Sequence, residues 1–456
     1  MRHPFLAKTL AVTATVLLLG LALARIGFLV DERQSYQAQA VQSVQQSHAG
    51  AQTLLGPLLQ RQCSETWEAT VGSGPERRTE VQRRDFTLTA VPSLLDVEAT
   101  TQADLRYRGL FKVNSFGARL VLKAQWADLA ALQAKATQPQ AQLNCQPITV
   151  WIATSDVRGL RGARLSLDGQ ALTVRPGTGH ETLAQGLQAE LPPNLAAGVP
   201  ANQQVALVAV IDLVGTAALA LVPAAESTLW TLRSDWPHPS FGGRFLPTQR
   251  EIGDTGFTAR WAVSSLATSV PQDLVNPGAR KLALAGMDTL SVEFVDPVNP
   301  YVLSDRAIKY GLLFVALTFA SVALVELLAR GRVRRVHPLQ YALVGLTLCL
   351  FFLLLLSLSE HLAFATAYAV AASACVLLLG SYARHMLGSV RDGWLFGAGM
   401  AALYGMLYLL LLREQTALVL GSVGLFAALA VVMLLTRRVD WYRLTAPTPS
   451  EGLKAT

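Results

Sequence analysis

Catalytic signatures are missing from this chain. It contains no GxxxxGK phosphate loop followed by Ser or Thr, no GxSxG elbow, no HExxH metal helix and no GxGxxG after a strand. An ATP-driven machine is thereby excluded unless a partner supplies the nucleotide site. Cysteine is scarce as well: four residues are too few for a disulfide scaffold, and none has CxxC or Cys/His spacing for structural zinc. No cofactor is expected. Charged residues make up only 15% of the chain against 52% hydrophobic, which excludes an entirely aqueous protein.

The net charge of +7 would suggest a polyanionic partner if it were spread evenly, but it is not. Residues 31–305 carry 22 Lys+Arg and 25 Asp+Glu, a net of −3, whereas the rest of the chain carries 16 and 6, a net of +10. The basicity therefore belongs to the greasy part, as orientation by positive charge requires, and no nucleic-acid partner is implied.

What the chain has in abundance is long apolar runs. Residues 311–329, 341–358, 363–382, 394–412 and 417–436 each approach the roughly 20 residues a helix needs to cross a bilayer. Hydrocarbon offers backbone groups no partners, so such runs pack as helices. A further apolar run, 10–23, follows Arg2 and Lys8 and has two readings. Ala22-Leu23-Ala24 resembles a leader-cleavage site, while Ile26–Val30 extends the run to spanning length if Arg25 snorkels. The retained anchor is the favoured reading.

Arginines then set sidedness. Arg2 and Lys8, Arg330 to Arg335, Arg384 and Arg391, and Arg437, Arg438 and Arg443 fall on every second connection, while the two short alternate ones hold only Arg413. The expected fold is a six-helix transmembrane bundle plus a large β-rich, sandwich-like periplasmic domain. Its parts are an anchor over 1–30, an exported domain over 31–305, five spans over 306–440 and a cytoplasmic tail over 441–456. Both termini face the cytoplasm of a bacterial inner membrane, and lipids surround the bundle.

Within the exported part, Tyr36, Ala40, Val44, His48, Ala51 and Leu55 recur at helical spacing, predicting an amphipathic helix over 31–56 that stops at Gly56-Pro57. His48 then packs and binds nothing. Beyond residue 85 short Val/Leu/Thr/Trp runs predict strands over 86–90, 118–126, 148–154, 205–213, 229–233, 257–263 and 289–295. Asp168-Gly169 predicts a tight hairpin turn, and 133–142 and 192–200 read as loose connectors. Cys63 and Cys145 both fall in this part and are free to pair if it is exported, although spacing alone leaves that open.

Three polar clusters are candidate sites. In Asp235-Trp236-Pro237-His238-Pro239-Ser240, running on to Arg250, Asp235, His238 and Ser240 could form a nucleophile and base, or His238 could ligate a metal; a proline-stiffened loop anchored by aromatics is the favoured reading. Glu360 and His361, where two spans nearly touch, are either a proton relay or solvated caps. Glu326, four residues before Arg330, reads first as half of an ion pair. Gly393 and Gly397 have the spacing that lets helices approach closely.

The chain resembles the CreD family of inner-membrane, cell-envelope-integrity proteins of Gram-negative bacteria. The resemblance rests on Trp236-Pro-His-Pro-Ser-Phe with Phe245-Leu-Pro and Arg250, Gly256-Phe257 with Trp261, Asp305-Arg306-Ala307 with Lys309-Tyr310, His337-Pro338 with Gln340-Tyr341, Ser359-Glu360-His361, and Asp440-Trp441-Tyr442. It implies expression under a sensor-kinase and regulator pair, a link to envelope stress, and no established reaction. The reading is a non-enzymatic platform whose β domain binds an envelope component, or a periplasmic or inner-membrane protein. A transporter or lipid-handling protein using Glu360, His361 and Glu326 is the alternative.

Overall fold

The computed structural model describes residues 4–71, 78–192, 204–276, 282–296, 299–328, 336–387, 390–413 and 417–437. Two compact units emerge: a β unit, Gln37–Pro297, and a helical unit made of Met1–Tyr36 and Val298–Thr456.

The β unit holds two sheets. One runs in the order β14 (Pro239–Gly243), β17 (Leu290–Phe294), β12 (Ala218–Leu221), β1 (Gln52–Val71), β6 (Thr149–Thr154), β10 (Gly186–Glu190) and β9 (Val174–Pro176), with β2 (Arg78–Ala90) and β5 (Gln142–Cys145) also paired to β1. The other runs β15 (Gln249–Gly253), β16 (Gly256–Ser264), β13 (Ser227–Ser234), β3 (Leu94–Arg108), β4 (Phe111–Trp126), β11 (Val205–Thr216), β7 (Leu160–Leu167) and β8 (Gln170–Leu172). Alternation along β11 and β13 turns every second side chain inward. The resulting core joins both sheets, with Leu54, Val150 and Ile152 from one and Val97, Leu120, Leu122, Ile211 and Trp230 from the other.

β6 is buried at nearly every position because its second face carries another apolar cluster. There Leu55, Leu58 and Trp151 lie under Val270 and Leu274 of a short helix, α2 (Val270–Val275). The Asp168-Gly169 turn forms as expected, with φ of 48° and 85°.

The first helix departs from expectation. α1 (Pro4–Ser47) is one unbroken 44-residue helix, so anchor and amphipathic stretch are a single rod roughly 66 Å long. It stops at Ser47, and Leu55 already belongs to β1, which corrects the expected helix over 31–56. Gly56 is not a helix stop but sits at a register shift inside β1, where φ is +104° and a Cβ would lie 2.9 Å from the Trp151 carbonyl oxygen. The stripe itself is partly right: Ala40 and Val44 are buried, while Tyr36 is exposed. Burial first, and then Arg106 and Arg161, push the His48 imidazole below its usual pKa.

The helical unit continues with α3 (Pro300–Lys309), α4 (Gly311–Leu328), α5 (Pro338–Ser359), α6 (Phe364–Leu387), α7 (Val390–Leu412) and α8 (Ala417–Thr436). Among the described residues four helices, α1, α5, α6 and α7, are long and apolar enough to cross a bilayer, and α3 with α4, bent by 46° at their junction, would make a fifth. At the bend, Gly311 lets Leu23 of α1 and Phe352 of α5 come close to the backbone. The glycine reading of α7 also holds within the unit. A Cβ on Gly397 would sit 3.6 Å from Gly380 Cα, and one on Gly393 would collide with Arg384 Cα at 2.7 Å.

Candidate functional site

The segment from Asp235 to Arg250 is held by indole hydrogen bonds. Trp236 is buried, and its Nε1 donates to the carbonyls of His238 and Val295, both at 3.0 Å. Its ring meets Phe294 edge-on at 6.3 Å. Phe241 in β14 packs edge-on against Phe257 and Trp261, and Trp261 Nε1 donates to the Phe245 carbonyl at 3.1 Å. These aromatics staple β14 and the loop after it to β16 and β17. His238, Ser240 and Arg250 are exposed, and Asp235 Oδ1 accepts from the Ala103 amide at 2.8 Å. Among the described residues no hydrogen bond joins Asp235, His238 and Ser240, and no group of three or more His, Cys, Asp or Glu side chains could hold a metal. Asp235, His238 and Ser240 are therefore not hydrogen-bonded to one another as a nucleophile and base, and the aromatic contacts hold the loop.

Beside this segment lies an open groove of about 600 Å³ lined by Thr101, Arg233, Asp235, Glu251 and Phe257. Sequence reasoning missed it. It is assembled from β3, β13, β15 and β16, whose adjacency is set by pairings far apart in sequence.

In the helical unit Glu360 caps the C-terminus of α5, with Arg33 Nε at 3.5 Å and the Tyr301 hydroxyl donating to it at 3.4 Å. No hydrogen bond among the described residues joins the His361 ring to Glu360. Glu326 takes Lys8 Nζ at 2.6 Å on both carboxylate oxygens and the Tyr341 hydroxyl at 3.4 Å, with Lys8 also 5.6 Å from the Tyr341 ring centre. Arg330, the partner expected for Glu326, lies outside the described residues. Tyr341 and Glu360 are 19 residues apart along α5, roughly 28 Å, close to the ~30 Å of a bilayer's hydrocarbon. Between these ends lies an aromatic layer with Phe314, Phe351 and Tyr404, Tyr404 sitting 4.9 and 4.6 Å from the other two rings. Glu326 and Glu360 are thus clamps at opposite ends of α5 and do not form a joint site.

Other charged groups hold the β unit together. Glu65 is buried, accepting from the Thr137 amide at 2.6 Å, the Thr137 hydroxyl at 2.8 Å and the Gln138 amide at 3.0 Å, with Arg84 at 3.0 Å. Burial pushes its pKa up most strongly, yet these bonds together outweigh it and hold the carboxyl below the usual range. They pin the stretch expected to be a loose connector over 133–142, correcting that reading; most of the other one, 193–200, lies outside the described residues. Asp156 takes the Arg158 guanidinium at 2.7 Å and the Gly50 amide at 3.0 Å. Arg158 in turn donates to the Gln45 and Gln46 carbonyls in the last turn of α1, satisfying helix-end acceptors. Cys63 and Cys145, opposite each other on β1 and β5, are joined by a disulfide.

Comparison with known proteins decides the lineage. The family model described as "Inner membrane protein CreD" matches residues 4–442. The chain belongs to the CreD family. A relative named "Inner membrane protein CreD", from Escherichia coli (strain K12), is 33% identical over 453 residues, covering 98% of this chain and 96% of the relative. This chain is accordingly a CreD-family inner membrane protein.

Several residues that carry the CreD resemblance have structural work to do. His337, a candidate functional residue, is the N-cap of α5: its Nδ1 accepts from the Leu339 amide at 3.2 Å, while the Gln340 side chain accepts from the His337 amide at 2.9 Å and Pro338 starts the helix. Gly256 has φ of +136°, and any Cβ there would meet the Ser234 carbonyl at 2.0 Å. Of the CreD motifs, His238, Ser240 and Arg250 stay exposed on one stretch of the β unit, and surface is what they offer.

Proposed function

We propose that this CreD-family protein supports envelope integrity as a non-enzymatic platform, with its β unit in the periplasm and both chain termini in the cytoplasm. On this reading six helices span the membrane, α8 being the sixth. Three observations support export of the β unit. Its net charge is negative while basic residues crowd alternate helix connections, it contains a disulfide, and it follows an apolar run of α1 flanked by Lys8 and Arg33, each paired with a glutamate of the helical unit.

The observation that carries the platform reading is the open groove lined by Arg233, Asp235 and Glu251, with His238 and Ser240 exposed on the segment that follows Asp235. Aromatic contacts tie the segment after Asp235 to the neighbouring strands, and among the described residues no hydrogen bond joins Asp235, His238 and Ser240. A mixed-charge surface with a shallow groove suits a protein or envelope polymer. A photo-crosslinking residue placed at Ile252, which lines the groove and is exposed, tests this in intact cells. The reading expects a discrete adduct that Arg233→Ala and Glu251→Ala together weaken; an adduct unchanged by that pair would remove the groove from the account. The transporter alternative draws no support, because Glu326 and Glu360 are each engaged in a separate clamp.

A further inference from the structure

At the other edge of the same sheet from β14, the outer face of β1, β6, β10 and β9 encloses a second, less open cavity of about 260 Å³. Its lining is unusual for a sheet face: Gln60, Gln62, Thr149 and Gln188 converge there, with Arg175 and Glu190 at its β9 and β10 side. Strand register explains the convergence. Gln60 stands opposite Thr149, Thr149 opposite Glu190, and Gln188 opposite Arg175, so alternation turns all of them to one face.

Two features specify a ligand. Gln60 is only 3% exposed, and its side-chain carbonyl Oε1 is buried with no hydrogen-bond partner among the described residues. A buried amide oxygen left in that state is unfavourable, so the cavity favours a guest that brings an O–H or N–H donor. The lining is also neutral overall, because Arg175 Nη1 sits 2.7 Å from Glu190 Oε1 and the two cancel. Side-chain amides and hydroxyls both donate and accept, matching vicinal hydroxyls. No aromatic or large apolar residue lines the cavity, which argues against a lipid tail.

We infer that this cavity is a binding site for a neutral carbohydrate unit, held by Gln60, Gln188 and Thr149 through its hydroxyl groups. The inference goes beyond the partner surface proposed above. A titration in vitro answers it whether or not any adduct forms at Ile252.

Saturation-transfer NMR on the full chain in lipid nanodiscs, free of sugar-headed detergent, tests it with glucose, N-acetylglucosamine and the tripeptide Gly-Gly-Gly. At least one sugar should bind saturably and the tripeptide should not. Gln60→Met, which keeps the volume, and Gln188→Ala, on a partly exposed position, should each weaken binding roughly tenfold or more. An intact disulfide and unchanged circular dichroism would show that both variants fold. Absence of sugar binding, binding that both variants leave unchanged, or preference for the tripeptide would each overturn the assignment.

Discussion

Replacing Lys8 by Met should destabilise the helical unit more than replacing Glu326 by Gln, and the double replacement should recover part of the loss. The pair is a contact across 318 positions of sequence with Nζ 2.6 Å from both oxygens, and the two side chains are 30% and 20% exposed. At an effective dielectric near 20 the gross attraction is about 6 kcal/mol, most of it cancelled by desolvation. Such partial exposure places the net coupling between the ~0–1 kcal/mol of surface pairs and the ~3–5 kcal/mol of breaking a buried one, at about 1–3 kcal/mol. The asymmetry follows from side-chain reach. Freed Lys8 can snorkel toward headgroups, whereas Glu326, confined under the Tyr341 hydroxyl, cannot. Thermal unfolding of the four proteins in one lipid nanodisc preparation completes the double-mutant cycle. Effects that add within about 0.5 kcal/mol would refute the clamp.

Other expectations follow from single contacts. Replacing Cys63 and Cys145 together by Ser should cost up to about 4 kcal/mol in the chain-entropy account, since the bridge closes a loop of 82 residues; denaturation with and without reductant measures it. The Arg158 guanidinium beside Asp156, with the Gly50 and Arg158 amides, holds its carboxyl at about 2, below an unperturbed 3.8. Its contribution, about 1 kcal/mol after solvent screening, is therefore present above pH ~4 and fades as pH falls toward ~2. Denaturation of wild type and Asp156→Asn should differ at neutral pH and converge near pH ~2. Gly393→Val should push α6 from α7 and lower the melting temperature of the helical unit, while Gly399→Val, at a glycine with open space around it, should not.

Much of this architecture was legible because it is local. Apolar length announced the helices, and Asp168-Gly169 announced its turn because those residue types tolerate positive φ. β1 and the outer part of β3 were not legible. Gln60-Arg61-Gln62 carries no hydrophobic alternation, and from Asp104 to Arg108 the alternating Leu105 and Tyr107 are exposed; both stretches are strands because β2, β4 and β6 pair with them. The continuity of α1 was hidden by the change from apolar to Gln-rich residues, which reads as a boundary although nothing there breaks a helix. Clamps, groove and cavity escaped for one reason. Lys8 with Glu326, Arg33 with Glu360, and Gln60 with Gln188 meet only once the chain has folded, whereas the apparent cluster Asp235, His238 and Ser240 is adjacent in sequence and unconnected in space.

The most direct measurement concerns which side of the membrane the β unit occupies. Leu266 is 96% exposed on that unit, and the native Cys349 and Cys375 are buried. A Leu266→Cys protein in cells with a permeabilised outer membrane should react with a membrane-impermeant maleimide before the inner membrane is broken, and an Arg437→Cys protein only afterwards. Labelling of Leu266→Cys that requires rupture of the inner membrane would contradict the account.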